Sequence, residues 1–547
     1  MESKIRSAVE SGNISGSVHE TLERSANAFP KNVAIIFGKI PFTYERINEL
    51  SSRFAEALVA MGLKDGDRVA CYLPSSPQFM IVFYGTLKAG GVLTPIDHRY
   101  REVELKYQLS DSEAKIIVTL DSLWEKSKDV ILGAGVTNAI LANLTEIEDL
   151  NKVRNSGTEK DSRRKSSGSS RLVDLIEQTE PIERSVRVDP YNHIAAMPYT
   201  TGTTGPSKGV MLSHFNLLAS QYQFNDALGN KVGKETAIVI FPFSHIGGLN
   251  AALGTLVHSS NTVVAFEKFD SGRVLEAVTL YRPTLFYGVP SAYVTLLNDA
   301  AKIREADFSC VRVAISSGSP LPPEIKLQFE KEAGVGITDS WGMTESSPVL
   351  TCSPPGETQP HLIGYPVLET QVRVVDTQDE SRELPIGEVG VLIAKGPQVM
   401  LGYWKKQEET RKILKDGWLH TGDLGYKDET GAFFYLDRKK DIINVGGLKV
   451  WPAEVEAVIY ECPSVAETIV GAEPSERYGE TVTAWVVLKP GFNAIDEDKL
   501  IKDHCSSKLA RYKVPNTIEF VREIPKSHVG KPLRRAIREF QRGRPPA

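Results

Sequence analysis

The segment Tyr199-Thr200-Thr201-Gly202-Thr203-Thr204-Gly205-Pro206-Ser207-Lys208-Gly209 constrains the chain more than any other stretch, because it follows the strand-like run Ile194-Ala195-Ala196-Met197. Glycines let a backbone turn its N–H groups toward an anion, threonine hydroxyls add donors, and Lys208 adds a full charge. Such a loop reads as a phosphate cradle. It is not a Walker A loop, which needs G-x-x-x-x-G-K-[ST], since Lys208 here follows Ser207 and precedes Gly209. Surface turns alone do not call for so many threonines and glycines after a buried strand.

The surrounding sequence alternates helix and strand patterns. Thr43 precedes an amphipathic stretch from Tyr44 to Leu63, with Ile47, Leu50, Phe54, Leu58 and Met61 at three-to-four spacing, which predicts a capped helix. Val69 to Leu73 reads as a buried strand, Gln78 to Ala89 as a helix, and Val92 to Pro95 as the next strand. This alternation favours a layered α/β domain. From Asn155 to Arg171 the chain is mostly Ser, Gly, Lys and Arg, with almost nothing to bury, and reads as a flexible insertion (155–171) carrying Lys160, Arg163, Arg164 and Lys165. Past Gly387 come short β-rich pieces, Val389 to Ala394 and Phe433 to Leu436, that suggest a small barrel. A helix from Pro452 to Tyr460 and a strand from Thr481 to Leu488 follow. The boundary is expected near Arg438, with an N-terminal domain over 1–438 and a mobile C-terminal domain over 439–547.

At 547 residues the chain exceeds what one core usually supports. Its 64 basic and 69 acidic side chains give a net charge of -5, which offers no global attraction for nucleic acid or an anionic membrane. Any anion must be held locally. The five cysteines, Cys71, Cys310, Cys352, Cys462 and Cys505, are scattered, with no CxxC pair or metal spacing, and imply a reducing compartment without structural zinc. The start lacks an apolar leader, and no run of about 18 apolar residues occurs. A cytoplasmic protein is expected, monomeric or homodimeric, with no transmembrane segment, no nucleic-acid partner and at most peripheral membrane contact.

Further motifs follow in order: Ser316-Ser317-Gly318-Ser319-Pro320-Leu321, Asp339-Ser340-Trp341-Gly342-Met343-Thr344-Glu345, Thr421-Gly422-Asp423, Asp437-Arg438-Lys439-Lys440-Asp441, Gly446-Gly447-Leu448-Lys449-Val450 and Pro525-Lys526-Ser527-His528-Val529-Gly530-Lys531. Together with the phosphate loop, this set resembles the adenylate-forming superfamily of acyl-CoA synthetases, luciferases and peptide-synthetase adenylation domains, over essentially the whole chain. The departures are Trp341 where tyrosine is commoner, Val529 where a hydroxyl residue is common, and Pro532 directly after Lys531. The resemblance implies a large layered α/β N-terminal domain with an appended β-barrel, plus a small α+β C-terminal domain, with the active site at their interface. It implies ATP and coenzyme A as co-substrates, Mg2+ as the metal ion and a small-molecule carboxylic acid as the group activated.

Activation brings a carboxylate onto a phosphate, and two unit charges about 4 Å apart repel by roughly 4 kcal/mol at an effective dielectric near 20. Cations must bridge them. By resemblance Lys531 touches both anions, Thr344 binds an α-phosphate oxygen, and Glu345 with Thr200 holds magnesium, which favours a few oxygen ligands besides phosphate and water. Nucleotide binding falls to Thr200, Thr201, Gly202, Thr203, Thr204, Gly205, Lys208, Gly318, Ser319, Pro320, Asp339, Trp341, Gly342, Thr344, Asp423, Arg438 and Lys531. Trp341 offers a face for adenine, while Asp423 can accept from the ribose hydroxyls and Arg438 can donate to them. Lys440 corresponds to a hinge about which the C-terminal domain swings after adenylation, presenting Gly446, Gly447 and Lys449 to coenzyme A.

On the acid side, Phe241-Pro242-Phe243-Ser244-His245 resembles the segment whose histidine sits beside the substrate carboxylate. Ile246, Gly247, Gly248 and, from Phe286 to Pro290, Gly288 are expected to line an acyl channel. No acidic residue lies between Phe241 and Phe266 to hold an amine, which disfavours amino acids. A medium- or long-chain fatty acid is the expected substrate. The alternatives are an aryl-acid ligase, a luciferase-type oxygenase or a carrier-protein acyl-AMP ligase.

Overall fold

The computed structural model describes residues 5, 16–153, 169–183, 185–200, 206–357, 359–475, 477–526 and 533–534. Local rules explain its first helices. The side chain of Thr43 accepts from the Arg46 N–H at 3.2 Å and caps Tyr44–Ala60, whose Ile47, Leu50, Phe54 and Leu58 are buried. Ser76 caps Pro77–Lys88 in the same way, with Pro77 in the first turn. Every residue of that second helix is buried, so it is apolar all round rather than amphipathic. The two helices meet at Gly85, where a Cβ would lie 2.7 Å from Ser51 O and from the Phe54 ring.

Among the described residues the strands form three sheets. One runs parallel through Val33–Phe37, Thr262–Ala265, Thr236–Val239, Leu285–Gly288, Val313–Ser316 and the start of Ile337–Gly342. It continues antiparallel through Val349–Cys352, Leu362–Pro366, Phe433–Arg438, Trp418–Lys427, Gly390–Lys395 and Gln371–Val375. This antiparallel run is the region expected as a barrel, and it is hydrogen-bonded to the parallel part as one continuous sheet. The second sheet holds Arg68–Tyr72, Val92–Pro95, Ile116–Leu120 and Asn138–Ala142 in parallel, with Ile194–Ala196 and Val210–Ser213 at one side. Of the insertion expected at 155–171, residues 154–168 lie outside the described residues. Ser169–Arg171 is not loop: it pairs in parallel with Ala139–Leu141 as an edge strand, so main-chain hydrogen bonds fix it despite its polar side chains.

The third sheet joins Leu448–Val450, Ile443–Val445, Gly479–Leu488, Val465–Ser475 and Thr517–Phe520, covered by the helices Pro452–Tyr460 and Ala494–Lys508. Its core (Ile443, Val450, Val455, Ile459, Val470, Val482, Val486, Ile501) is separate from the larger one. The fold is thus mixed α/β, with a large N-terminal domain and a smaller C-terminal one. The last strand of the first sheet ends at Arg438 and the first of the third begins at Ile443.

Candidate active site

Open α/β sheets bind ligands beyond the carboxyl ends of their strands, and the first sheet opens a cleft at that end. Phe241 to Gly247 follow Thr236–Val239, Ser317 to Pro320 follow Val313–Ser316, and Met343 to Glu345 follow Ile337–Gly342. These turns open into one cleft of about 480 Å³ that also receives Thr200, Pro206 and Lys208 from the second sheet, and Arg438, Lys439 and Lys440 from the chain leaving the first. The two ends of the loop are held together between antiparallel strands: Thr200 N–H donates to Lys208 O at 3.0 Å, and Lys208 N–H to Thr200 Oγ1 at 3.2 Å. Thr201, Gly202, Thr203, Thr204 and Gly205 lie outside the described residues.

A second cavity adjoins the first and shares Gly318, Gly342 and Arg438 with it. It is lined by Ser319, Pro320, Asp339, Trp341 and Asp423, so the expected nucleotide residues of these motifs converge. Trp341 Nε1 donates to Asp423 Oδ2 at 2.9 Å, and Arg438 Nε lies 2.8 Å from Asp423 Oδ1. Asp423 and Arg438 face each other across antiparallel strands. Proximity to Asp423 is what raises the guanidinium's affinity for its proton. Gly318 has φ +93°, a left-handed turn that favours glycine, and a Cβ on Gly342 would collide with Pro348 O. Asp339 is engaged already: Lys326 Nζ reaches its Oδ2 at 2.6 Å, while burial raises its pKa. Sequence reasoning missed Lys326, and nothing in its helical surroundings marks it.

Glu345 is buried, and burial pushes its carboxyl pKa upward. Its Oε1 accepts from the Tyr403 hydroxyl at 2.6 Å. Tyr403 belongs to a short strand paired with Val210, just after the phosphate loop, and Lys208 Nζ stands 4.9 Å from its ring centre. Lys208 also meets Glu409 at 3.2 Å. Tyr403 and Glu409 were not found from sequence, although Leu401-Gly402-Tyr403 carries a strand-like apolar signal. Glu345 and Thr200 bring hard oxygen donors to one cleft, which fits magnesium shared with phosphate and water. They do not make a protein cage: among the described residues no cluster of three His, Cys, Asp or Glu could hold a metal.

His245, Ile246 and Gly247 line the cleft with Thr344, and His245 Nδ1 accepts from the Gly247 N–H at 3.1 Å. Gly248 and Gly288 do not line it. A Cβ on Gly248 would lie 2.0 Å from Pro242 O, and one on Gly288 would lie 2.8 Å from the Tyr293 ring, so both glycines serve packing. The apolar run after Gly247 forms a π-helical stretch, Gly247–Gly254, whose Leu249, Ala252 and Leu253 are packed into the main core. Gly446, Gly447 and Lys449 are exposed and stand outside the cleft. Lys531 lies outside the described residues.

Comparison with known proteins fits this geometry. A family model described as AMP-binding enzyme matches residues 22–404, and one described as AMP-binding enzyme C-terminal domain matches 454–531. The chain belongs to the AMP-binding enzyme family as an adenylate-forming acyl-CoA synthetase, an acid–thiol ligase. It is 37% identical over 539 residues to a long-chain-fatty-acid–CoA ligase of Bacillus subtilis (strain 168), covering 95% of this chain and 93% of that protein. A protein of the same name from Salmonella typhimurium (strain LT2) is 33% identical, covering 96% and 95%. ATP-bound MatB from Rhodopseudomonas palustris matches the fold with a TM-score of 0.84 at 29% identity, covering 96% of this chain and 99% of that one. The anthranilate CoA ligase AuaEII in complex with anthranoyl-AMP, 24% identical and covering 96% and 97%, gives 0.87, a likeness of fold alone. Among the described residues no helix is long and apolar enough to cross a membrane.

Proposed function

We propose that the chain condenses a medium- or long-chain fatty acid with ATP, releasing pyrophosphate, and then transfers the acyl group from the adenylate to coenzyme A, releasing AMP. The observation that carries this is the convergence of Lys208, His245, Thr344 and Arg438 on one cleft at the strand ends, beside the cavity walled by Trp341 and Asp423. The 37% identity to a long-chain-fatty-acid–CoA ligase supports a fatty acid as the substrate.

In this scheme adenine stacks in the cavity beside Trp341, and the ribose hydroxyls bond Asp423. Thr344 and the 200–208 loop bind phosphate oxygens. Lys208 and Lys531 offset the repulsion between carboxylate and α-phosphate, and His245 stands beside the carboxylate. Glu345 and Thr200 would hold Mg2+, which supplies charge neutralisation to the phosphates. The C-terminal unit, residues 439–547, then turns about Lys440 and brings Gly446, Gly447 and Lys449 to the cleft. Their exposure outside it supports reading the present arrangement as the adenylating one. The test is incubation with palmitate and ATP without coenzyme A: pyrophosphate and an acyl-adenylate of matching mass are expected, and coenzyme A should convert the adenylate to thioester. Release of inorganic phosphate and ADP instead would refute the mechanism.

A further inference from the structure

Asp437 lies at the end of the strand Phe433–Arg438, with its carboxylate buried. Its Oδ1 accepts from the Arg438 N–H at 2.7 Å, and its Oδ2 accepts from the Ala453 N–H at 3.0 Å. Ala453 is in the first turn of Pro452–Tyr460, the first helix of the C-terminal unit. The N-cap position of that helix is Trp451, which makes no side-chain capping bond. Orphan N–H groups of a helix start need an acceptor, and here one acceptor comes from the other side of the linker. The same carboxylate is within electrostatic reach of Arg534, which pairs with Glu456 of that helix and lies 4.0 Å from Asp441 of the linker. Ile442 and Trp451 pack beside these groups against Val391, Ile393 and Leu424 of the first sheet.

We propose that Asp437 is a positioning residue that latches the C-terminal unit in the adenylating arrangement, by capping the helix Pro452–Tyr460. Turning about Lys440 separates Asp437 from Ala453, because the two lie on opposite sides of the pivot. The cap therefore favours one arrangement over the other and sets how readily the enzyme passes from adenylation to thioester formation. This rests on the two-arrangement scheme above.

The experiment measures the half-reactions separately: ATP–pyrophosphate exchange with palmitate, and thioester formation from synthetic palmitoyl-adenylate and coenzyme A. Asp437→Ala should slow exchange about 3- to 30-fold, the size of a lost helix cap, and leave thioester formation unchanged or faster. Asp437→Asn, which keeps an acceptor oxygen, should fall between. Ala453→Pro removes that donor within the first turn, where no intrahelical hydrogen bond is lost, and should reproduce Asp437→Ala even where that variant folds poorly. Equal loss in both half-reactions, or loss in neither, would overturn the latch. If the parent enzyme shows no exchange, the functional proposal itself fails. If Lys531→Ala loses exchange alone while Asp437→Ala and Ala453→Pro behave like the parent, the latch alone fails.

Discussion

Trp341 donates its indole N–H to the carboxylate of Asp423 at 2.9 Å, and the carboxylate's other oxygen pairs with Arg438 at 2.8 Å. The ring that would stack on adenine is therefore tied to the group that would bind ribose. Trp341→Phe keeps an aromatic face but withdraws the donor from a buried charge, a loss of about 1.5–3 kcal/mol for a bond of this kind. The KM for ATP is expected to rise about 10- to 100-fold, with a smaller change in kcat. An unchanged KM would show that the bond does not shape the nucleotide site.

The hydroxyl of Tyr403 reaches Glu345 at 2.6 Å while its ring supports Lys208. Tyr403→Phe keeps the ring and removes only the bond to the carboxylate. Pyrophosphate exchange should fall about 10-fold, whereas Glu345→Gln should lower it by at least 100-fold. Equal effects of the two changes would mean that Glu345 acts through Tyr403 alone.

Lys531→Ala should block adenylation by at least 100- to 1000-fold, because it removes a full charge from the developing transition state, and should spare thioester formation from supplied adenylate. Lys440→Pro should give the opposite pattern, since proline restricts rotation at the pivot. Equal damage to both half-reactions in Lys531→Ala, or normal thioester turnover in Lys440→Pro, would contradict a two-arrangement cycle.

Stability should be acid-sensitive at a buried histidine cluster, two members of which, His193 and His214, flank the phosphate loop in sequence. His19, His193 and His214 cluster with ring centres 5.9 Å (His19 to His214) and 5.6 Å (His193 to His214) apart. Burial lowers His19 to about 4 and His214 well below its usual range; Glu23, Lys88 and, paired with His193 at 2.9 Å, Asp65 face the cluster. Depressed histidines stay neutral in the native state while unfolded ones charge near pH 6.5. Stability is thus full above about pH 6.5 and is lost as pH falls toward 4. His214→Gln should lessen the loss in denaturation midpoint between pH 7 and pH 5, and a loss identical to the parent's would remove the cluster as its source.

Much of this was legible in sequence because the signals are local. Thr43 caps the helix it was expected to cap, and the strands expected at Val69, Val92, Val389 and Phe433 form within a residue or two of their predicted starts. Motif residues as far apart as Gly318, Trp341 and Asp423 meet around one cavity. Glycines were harder to read. At Gly248 and Gly288 the missing Cβ makes room for Pro242 and Tyr293, and sequence does not say which neighbour a glycine accommodates. Lys326, Tyr403 and Glu409 were overlooked because each meets the site only through contacts made by the tertiary fold. Ser169–Arg171 looked like loop because an edge strand is held by backbone bonds that composition does not report.

The most direct test of the central claim is the specificity constant for thioester formation along straight-chain acids from acetate to palmitate, beside cinnamate-type acids. Each buried methylene contributes roughly 0.8 kcal/mol, so kcat/KM is expected to climb several-fold per methylene before levelling off at medium or long chains. A best substrate of acetate or of a hydroxycinnamate would contradict the fatty-acid assignment and leave only the ligase chemistry.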